Sequence, residues 1–408
     1  MTEPATIMKT ASNADTSAEA LAIHPNLVGL SRTQLKERIT ALGIEGFRAN
    51  QVWQWLYNKG VTDFAAMSNI KKDTQADLAN HFTINRAGIS CNAVSFDQTQ
   101  KWLLKFADGN EVETVFIPDA NRGTLCVSSQ VGCTLACTFC HTGTQRLVRN
   151  LTPGEIVTQV LVARDGLNEW PDRLSDDPKS RLSERKMRTQ IHGSSDHRII
   201  RSRPERQLTN IVFMGMGEPM FNYDNVVSAI RIMMDPDGLA LSKRKITVST
   251  SGVVPRIRDL AKDVGVNLAI SLHAVTDELR DEIVPINRKY PLRQLLDACR
   301  EYVRLVPSRR IMFEYVMLNG VNDSPEDAHR LVQLLDGIPS KVNLIPFNPW
   351  PGAPYTCSSN NRIHAFGRIL IAAGIASPIR KTRGEDIMAA CGQLKSMSEL
   401  KKGQKVKL

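Results

Sequence analysis

Three cysteines stand close together in Cys133-Thr-Leu-Ala-Cys137-Thr-Phe-Cys140. Thiolates are soft ligands that suit iron–sulfur clusters, zinc or copper(I). A closed tetrahedral site needs a fourth ligand, so three thiols on one short loop leave a corner of the metal open. A 4Fe–4S cluster held this way keeps one iron free to bind a further molecule. The competing reading is a zinc knuckle that recruits His141 as its fourth ligand. Of the remaining cysteines, Cys91, Cys299 and Cys357 fit the usual role of a small buried hydrophobe. Cys126 differs, because it lies on the apolar run that leads to Cys133. Cys391 differs too: Ala390 and Gly392 flank it and leave its sulfur approachable.

Other polar residues follow short apolar runs. Gly215-Met-Gly217-Glu218-Pro is a glycine-rich turn that ends in an acid. Ser249-Thr-Ser251 and Ser271-Leu272-His273 offer hydroxyl and imidazole groups. Asn348 sits in Pro346-Phe-Asn-Pro-Trp-Pro351, a proline-bracketed loop that can present one amide to a ligand. Each is unspecific alone, since glycine often only permits a tight turn and a single histidine is more often packed or capping.

These residues need elements to hold them. From Thr124 the chain alternates strand and helix. Strands are predicted at 124–129, 210–214, 245–249, 267–272, 311–317 and 342–346. Helices are predicted to start near Thr152, Tyr223, Val254, Asp277, Leu292, Ser324 and Arg362. Repeated βα units imply a parallel sheet, and ligands of such sheets bind at the carboxyl ends of the strands. The cysteine, glycine, serine and histidine loops all follow predicted strands. The fold expected is α/β, a partial (βα)6 TIM-like barrel over 120–394. Before it, residues 28–85 read as a small helical domain and 86–119 as a β-meander linker with strand pattern and an Asp108-Gly-Asn110 turn. Residues 1–27 read as a disordered tail, 165–207 as a largely disordered insertion and 395–408 as a basic tail.

The chain has 408 residues, 42% apolar and 23% charged, with net charge +10. No run nears the about 18 apolar residues of a membrane span, and the N-terminus lacks a signal peptide's apolar core. The expected location is the cytoplasm, where cysteines serve metal or redox chemistry more than disulfide frameworks. A cationic surface favours a polyanion such as RNA. Lys36, Arg38, Arg48, Lys59, Lys71 and Lys72 of the helical domain are readable as phosphate contacts or as a solvated helix face.

The cysteine spacing, with Phe139 before the last thiol, resembles the cluster loop of radical S-adenosylmethionine (SAM) enzymes, whose open iron chelates SAM. Six stretches carry a closer resemblance: Thr124–Cys133 with the cysteine loop, Phe213–Pro219, Val248–Pro255, Ile270–Ala274, Asn343–Pro349 and Arg383–Gln393. Together they resemble the RlmN family, radical SAM methyltransferases of adenine C2 in 23S ribosomal RNA and transfer RNA. The resemblance covers about Leu30 to Leu394, outside the tail and the 165–207 insertion.

That resemblance implies a 4Fe–4S cluster on Cys133, Cys137 and Cys140 and a SAM site at Gly217, Glu218, Ser249, Ser271, Leu272, His273 and Asn348. It implies two SAM per turnover. Cys391 takes a methyl from the first. The second is cleaved reductively to a 5′-deoxyadenosyl radical, which removes a hydrogen from that methyl so that the carbon can join adenine C2. Glu113 would then accept the C2 proton, and Cys126 would release the product through a transient disulfide with Cys391. On residue type alone, Glu113 reads as a carboxylate on a strand face in water. The partners implied are 23S ribosomal RNA, transfer RNA with its anticodon-loop adenosine, and a low-potential electron donor such as flavodoxin or ferredoxin, with the enzyme a monomer. Two alternatives stay open at this point: a Cfr-like adenine C8 methyltransferase and a non-catalytic, zinc-stabilised RNA-binding protein.

Overall fold

The structure, a computed structural model, describes residues 7–8, 24–120, 122–170, 206–307, 309–396 and 398. The first unit is helical: α1 (Arg32–Thr40), α2 (Arg48–Tyr57) and α3 (Lys72–His81). Ser31 caps α1 with Gln34 in a reciprocal box, satisfying two orphan backbone donors. Leu35 and Ile39 of α1 and Val52, Trp53 and Leu56 of α2 are buried together at helical spacing. Residues 24–27 belong to this unit and not to a tail. Leu27 is buried, and its N–H donates to Thr83 O at 2.9 Å.

A ten-stranded sheet follows. In chain order its strands are β1 (Ile7–Met8), β2 (Gly88–Val94), β3 (Gln100–Lys105), β4 (Glu111–Asp119), β5 (Arg122–Cys126), β6 (Leu208–Phe213), β7 (Ile246–Thr250), β8 (Asn267–Ser271), β9 (Ile311–Met317) and β10 (Ser340–Pro346). They lie side by side in that order. From β5 to β10 every pairing is parallel. The helices between them are α4 (Pro153–Gly166), α5 (Tyr223–Met234), α6 (Val254–Asp263), α7 (Asp277–Ile283), α8 (Leu292–Leu305) and α9 (Pro325–Leu334), with α10 (Asn360–Ala372) after β10. The six parallel strands are those expected, shifted by at most two residues at most ends. Residues 376–379 add bridges to the outer edge of β10.

Three expectations are corrected. The β-meander is no linker: β4 pairs antiparallel with β5, so β1 to β4 extend the barrel sheet itself. Its hydrophobic face needs a cover, and buried Trp102 and Val112 join the common core. Within the expected tail, Ile7–Met8 pairs with Asn92 and Ala93 of β2. The expected insertion begins later than Asp165, because α4 runs to Gly166 and Glu169 accepts the N–H of Leu208 at the start of β6. Residues 171–205, most of the tail and residues 399–408 lie outside the described residues.

The helical unit is fastened to the barrel at several places, two of them tight. Gly29 adopts φ +94°, and a Cβ there would stand 2.2 Å from Gly154 at the start of α4. Arg32 bonds Asp235 after α5, and its guanidinium lies over the Trp53 ring.

Candidate active site

Side chains of a strand alternate in direction, and the barrel strands turn one row each into a shared cavity of about 840 Å³. From β9 the row is Met312, Glu314 and Val316; from β10 it is Lys341, Asn343 and Ile345. Cys126 enters from β5 and Ser249 and Ser271 from β7 and β8. Cys133, Cys137 and Cys140 line the same cavity, as does Cys391.

The cysteine loop is held from both sides. A two-residue ribbon, Gln130–Val131 with Arg149–Asn150, fixes its base. Its far side is tied to the C-terminal segment: His141 N–H donates to Gly392 O at 2.8 Å and Gln145 Nε2 to Ser396 Oγ at 3.1 Å. The three thiols are desolvated, which pushes Cys133 up to about 12 and raises Cys137 and Cys140 as well. A bound cation is what turns such thiols into thiolates. His141 stacks on Trp350 at 4.8 Å and its Nδ1 meets Gln393 O at 3.2 Å, so that nitrogen is already engaged. Among the described residues, no three His, Cys, Asp or Glu converge as the ligands of a metal ion. Cys133, Cys137 and Cys140 thus present three soft thiols on one cavity wall, a donor set that suits a cluster with an open corner.

Around this wall the strand-end loops lock into one another. Gly217 has φ +93°, and a Cβ there would stand 2.5 Å from that of Gln130. Glu218 accepts from Met220 N–H at 3.0 Å and Ser251 N–H at 2.8 Å, joining the glycine turn to the loop after β7. Burial raises its carboxyl to about 7 despite those bonds. Ser249 Oγ lies 3.4 Å from Ser271 Oγ. His273 takes a left-handed φ of +61°. Its Nδ1 accepts Val316 N–H at 3.1 Å, which places the ring proton on Nε2. Burial and then Arg280 hold its pKa down to about 3, so the ring stays neutral. Leu272 contributes its backbone alone: its side chain is buried off the cavity, and its carbonyl accepts from Arg280.

Cys391 faces the cavity and counts as exposed, yet surrounding atoms desolvate its sulfur and push the thiol up to about 12. Glu314 and Cys140 add to that rise by their charge. Cys126 is likewise near 12, from burial first and Cys391 second. The two thiols, far apart in sequence, therefore share one electrostatic neighbourhood. Asn348 Nδ2 donates to Cys391 O at 3.1 Å and its Oδ1 accepts from Thr382 at 3.0 Å. Both ends of that amide hold the Cys391 loop in this conformation.

Glu113 is placed differently. Val115 and Ile117 of β4 line the cavity, and Glu113 lies two residues earlier on the same strand face, off the lining. It is 6% exposed, not a carboxylate in water. Lys101 pairs with it at 2.8 Å and Lys395 N–H donates to it at 2.9 Å. Burial still raises its pKa.

Three buried residues of the site escaped sequence reading. Arg280, 0% exposed, donates to Leu272 O, Ser271 O and Ser251 O and so ties two strand-end loops together. Glu314 and Asn343 form a buried pair inside the barrel. The available signal was polarity out of place: an acid inside the apolar run Ile311–Met317 and an amide inside Val342–Pro346.

Comparison with known proteins agrees with this geometry. Residues 25–84 match the family model described as the ribosomal RNA large subunit methyltransferase N-terminal domain, and residues 197–332 match the radical SAM superfamily. The chain is 56% identical to the dual-specificity RNA methyltransferase RlmN of Novosphingobium aromaticivorans, over 92% of this chain and 88% of the relative. It is 53% identical to the RlmN of Rhodopseudomonas palustris strain BisB5, over 92% of this chain and 90% of the relative. A solved radical SAM methyltransferase from Sphaerobacter thermophilus superposes with a TM-score of 0.78 at 41% identity, covering 91% of this chain and 99% of that one. The chain belongs to the RlmN family of radical SAM RNA methyltransferases.

Proposed function

We propose that this enzyme methylates C2 of an adenosine in 23S ribosomal RNA and of an adenosine in the anticodon loop of transfer RNAs, carrying the carbon on Cys391. The observation that supports this most is one cavity holding both a three-thiol wall and a second thiol pair, Cys126 and Cys391, that ligates nothing in the proposed scheme. Cys133, Cys137 and Cys140 would hold a 4Fe–4S cluster, which when bound supplies the electron for reductive cleavage of SAM. Glu218, Ser249, Ser271 and the Nε2–H of His273 line the cavity as polar groups for SAM.

Cys391 would accept the methyl group, one hydrogen of that methyl would leave with the deoxyadenosyl group of a second SAM, and the carbon would then bond to C2, an electron-poor position that does not attack SAM by ordinary displacement. Glu113, raised by burial, takes the C2 proton once Lys395 releases its carboxylate. Cys126 attacks the Cys391 sulfur; an S–S bond forms as the C–S bond to the product breaks, the freed carbon takes a proton to become the product methyl, the adduct's odd electron would return to the bound cluster, and a dithiol reductant resets the pair. Burial keeps both thiols protonated at rest, which protects them from oxidation between turnovers. A low-potential flavodoxin or ferredoxin is the electron donor this scheme needs. The protein acts in the cytoplasm as a monomer. No helix among the described residues is long and apolar enough to cross a membrane.

Two measurements test the reading. Nucleoside mass spectrometry after turnover on RNA is expected to give 2-methyladenosine; 8-methyladenosine as the main product overturns it. Peptide mass spectrometry of protein taken from cells is expected to show a methylated thiol at Cys391, and an unmodified Cys391 in active protein removes the proposed carbon carrier.

A further inference from the structure

Glu314 and Asn343 sit opposite each other on β9 and β10, in register, with Ser271 of β8 on the same level. They are 5% and 3% exposed, and both face the cavity. Asn343 Nδ2 donates to Glu314 Oε1 at 2.7 Å. Asn343 Oδ1 is buried and has no hydrogen-bond partner. An unpaired acceptor in a dry site costs free energy until a donor arrives, and an orphan of this kind in a native structure calls for a partner from outside the chain or a functional reason.

The pair's chemistry is specific. An amide oxygen accepts from an amine. A carboxyl held in its protonated form donates to a ring nitrogen, and burial favours that form for Glu314. Adenine presents that combination on one edge, a 6-amino donor beside the N1 acceptor. Cys391 adds a direction, because it lines the same cavity as Glu314 and the two lie close enough to influence each other. C2 is the ring carbon bonded to N1. A base whose N1 meets Glu314 therefore turns C2, and not C8, toward Cys391. The same hydrogen bond draws electron density from N1 and makes C2 a better acceptor for an incoming carbon.

We propose that Glu314 and Asn343 read the Watson–Crick edge of the unstacked target adenine, Asn343 Oδ1 accepting from the 6-amino group and the Glu314 carboxyl donating to N1. This deepens the proposed adenine C2 methylation and rests on it. The adenine of SAM offers the same edge, and the test separates the two sources.

The experiment uses the full chain and RNA hairpins carrying one unpaired adenine, purine without the 6-amino group, or 1-deazaadenine at the target position. The wild-type protein is expected to bind the adenine hairpin about tenfold or more better than the purine hairpin, one buried hydrogen bond's worth. In Asn343→Ala this ratio falls to near one. In Glu314→Ala discrimination against 1-deazaadenine disappears, and Glu314→Gln, which keeps a donor, restores it. Binding is read by anisotropy on cluster-free protein, with thermal melting to confirm folding, and SAM affinity is measured on cluster-loaded protein. Unchanged base discrimination in the folded Ala variants overturns the proposal. So does a weakened SAM affinity with base discrimination intact, which assigns the pair to SAM. If wild-type protein yields 8-methyladenosine, the C2 reading fails first. If it yields 2-methyladenosine while the variants still discriminate, only the present proposal fails.

Discussion

Burial means opposite things in the helical unit and in the barrel interior. In the helical unit the buried groups are mostly apolar, and the polar ones are paired: Trp53 donates to Asp235 and Tyr57 OH accepts Gly29 N–H. Burial there stabilises. In the barrel interior the buried groups include Cys137, Glu218, His273, Glu314 and Asn343. Burial there moves pKa values and leaves an acceptor unpaired, which costs stability and readies the site for ligands. Substitutions in the first region should therefore be read in melting curves, and those in the second in chemistry.

The largest expected effect is in the interior. Cys391→Ala should abolish methylated RNA while leaving the melting temperature within a degree or so of wild type; retained turnover would mean that the carbon does not travel through this thiol. The mirror case is Trp53→Ala in the helical unit. Losing this buried ring should cost about 3–5 kcal/mol by denaturant unfolding, while Cys391 in the folded fraction remains methylatable. A loss of chemistry beyond the loss of folded protein would blur the contrast.

Glu218 sharpens the comparison through pH. Its folded pKa of about 7 lies above the ordinary 4.5. The folded state therefore holds a proton that the unfolded state has released between those values. The associated stability is complete below 4.5 and is lost as pH rises through 7, by at most about 3 kcal/mol. Cluster-free wild-type protein should show this decline in thermal melts across that window, and Glu218→Gln should flatten it. A wild-type curve that rises instead would contradict a protonated Glu218. The smallest effect belongs to the seam between the regions. Arg32→Ala removes a partly exposed ion pair with Asp235, worth about 1 kcal/mol. Combined with Trp53→Ala it should give less than the sum, since the two side chains touch.

Much of the fold could be read from the sequence because the barrel strands are short apolar runs between helices with clear caps. Ser31, Thr152 and Ser324 each begin a helix with a reciprocal capping box. Where the sequence misled, tertiary pairing decided. The alternating pattern of Glu111–Asp119 announces a strand but cannot say that its partner is β5 across a chain reversal. The site followed the same division. Loop residues announced themselves by type and spacing, and the cavity collects Cys126, Cys391 and the three loop thiols. Arg280, Glu314 and Asn343 lie within helix and strand runs, where period alone marks them as faces and not as functions. Glu113 and Asn348 show the converse, since sequence position says nothing of the partners that hold Glu113 off the lining or spend both ends of the Asn348 amide.

The ties between the cysteine loop and the C-terminal segment set an order of events in time. Thr142 and Gln145 find their partners at Leu394 and Ser398, separations of 252 and 253 residues. Contacts this distant form last as a chain is made, because the intervening loop must first be closed. While the later barrel strands are still being made, the three thiols are already synthesised and stand without the C-terminal segment across their loop. The arrival of residues 391–398 then brings Cys391 into the cavity and shuts the loop behind it. A molecule truncated before that point would keep its three-thiol wall and lack the thiol proposed above to carry the carbon, so the last contacts to form are also the ones that complete the cavity.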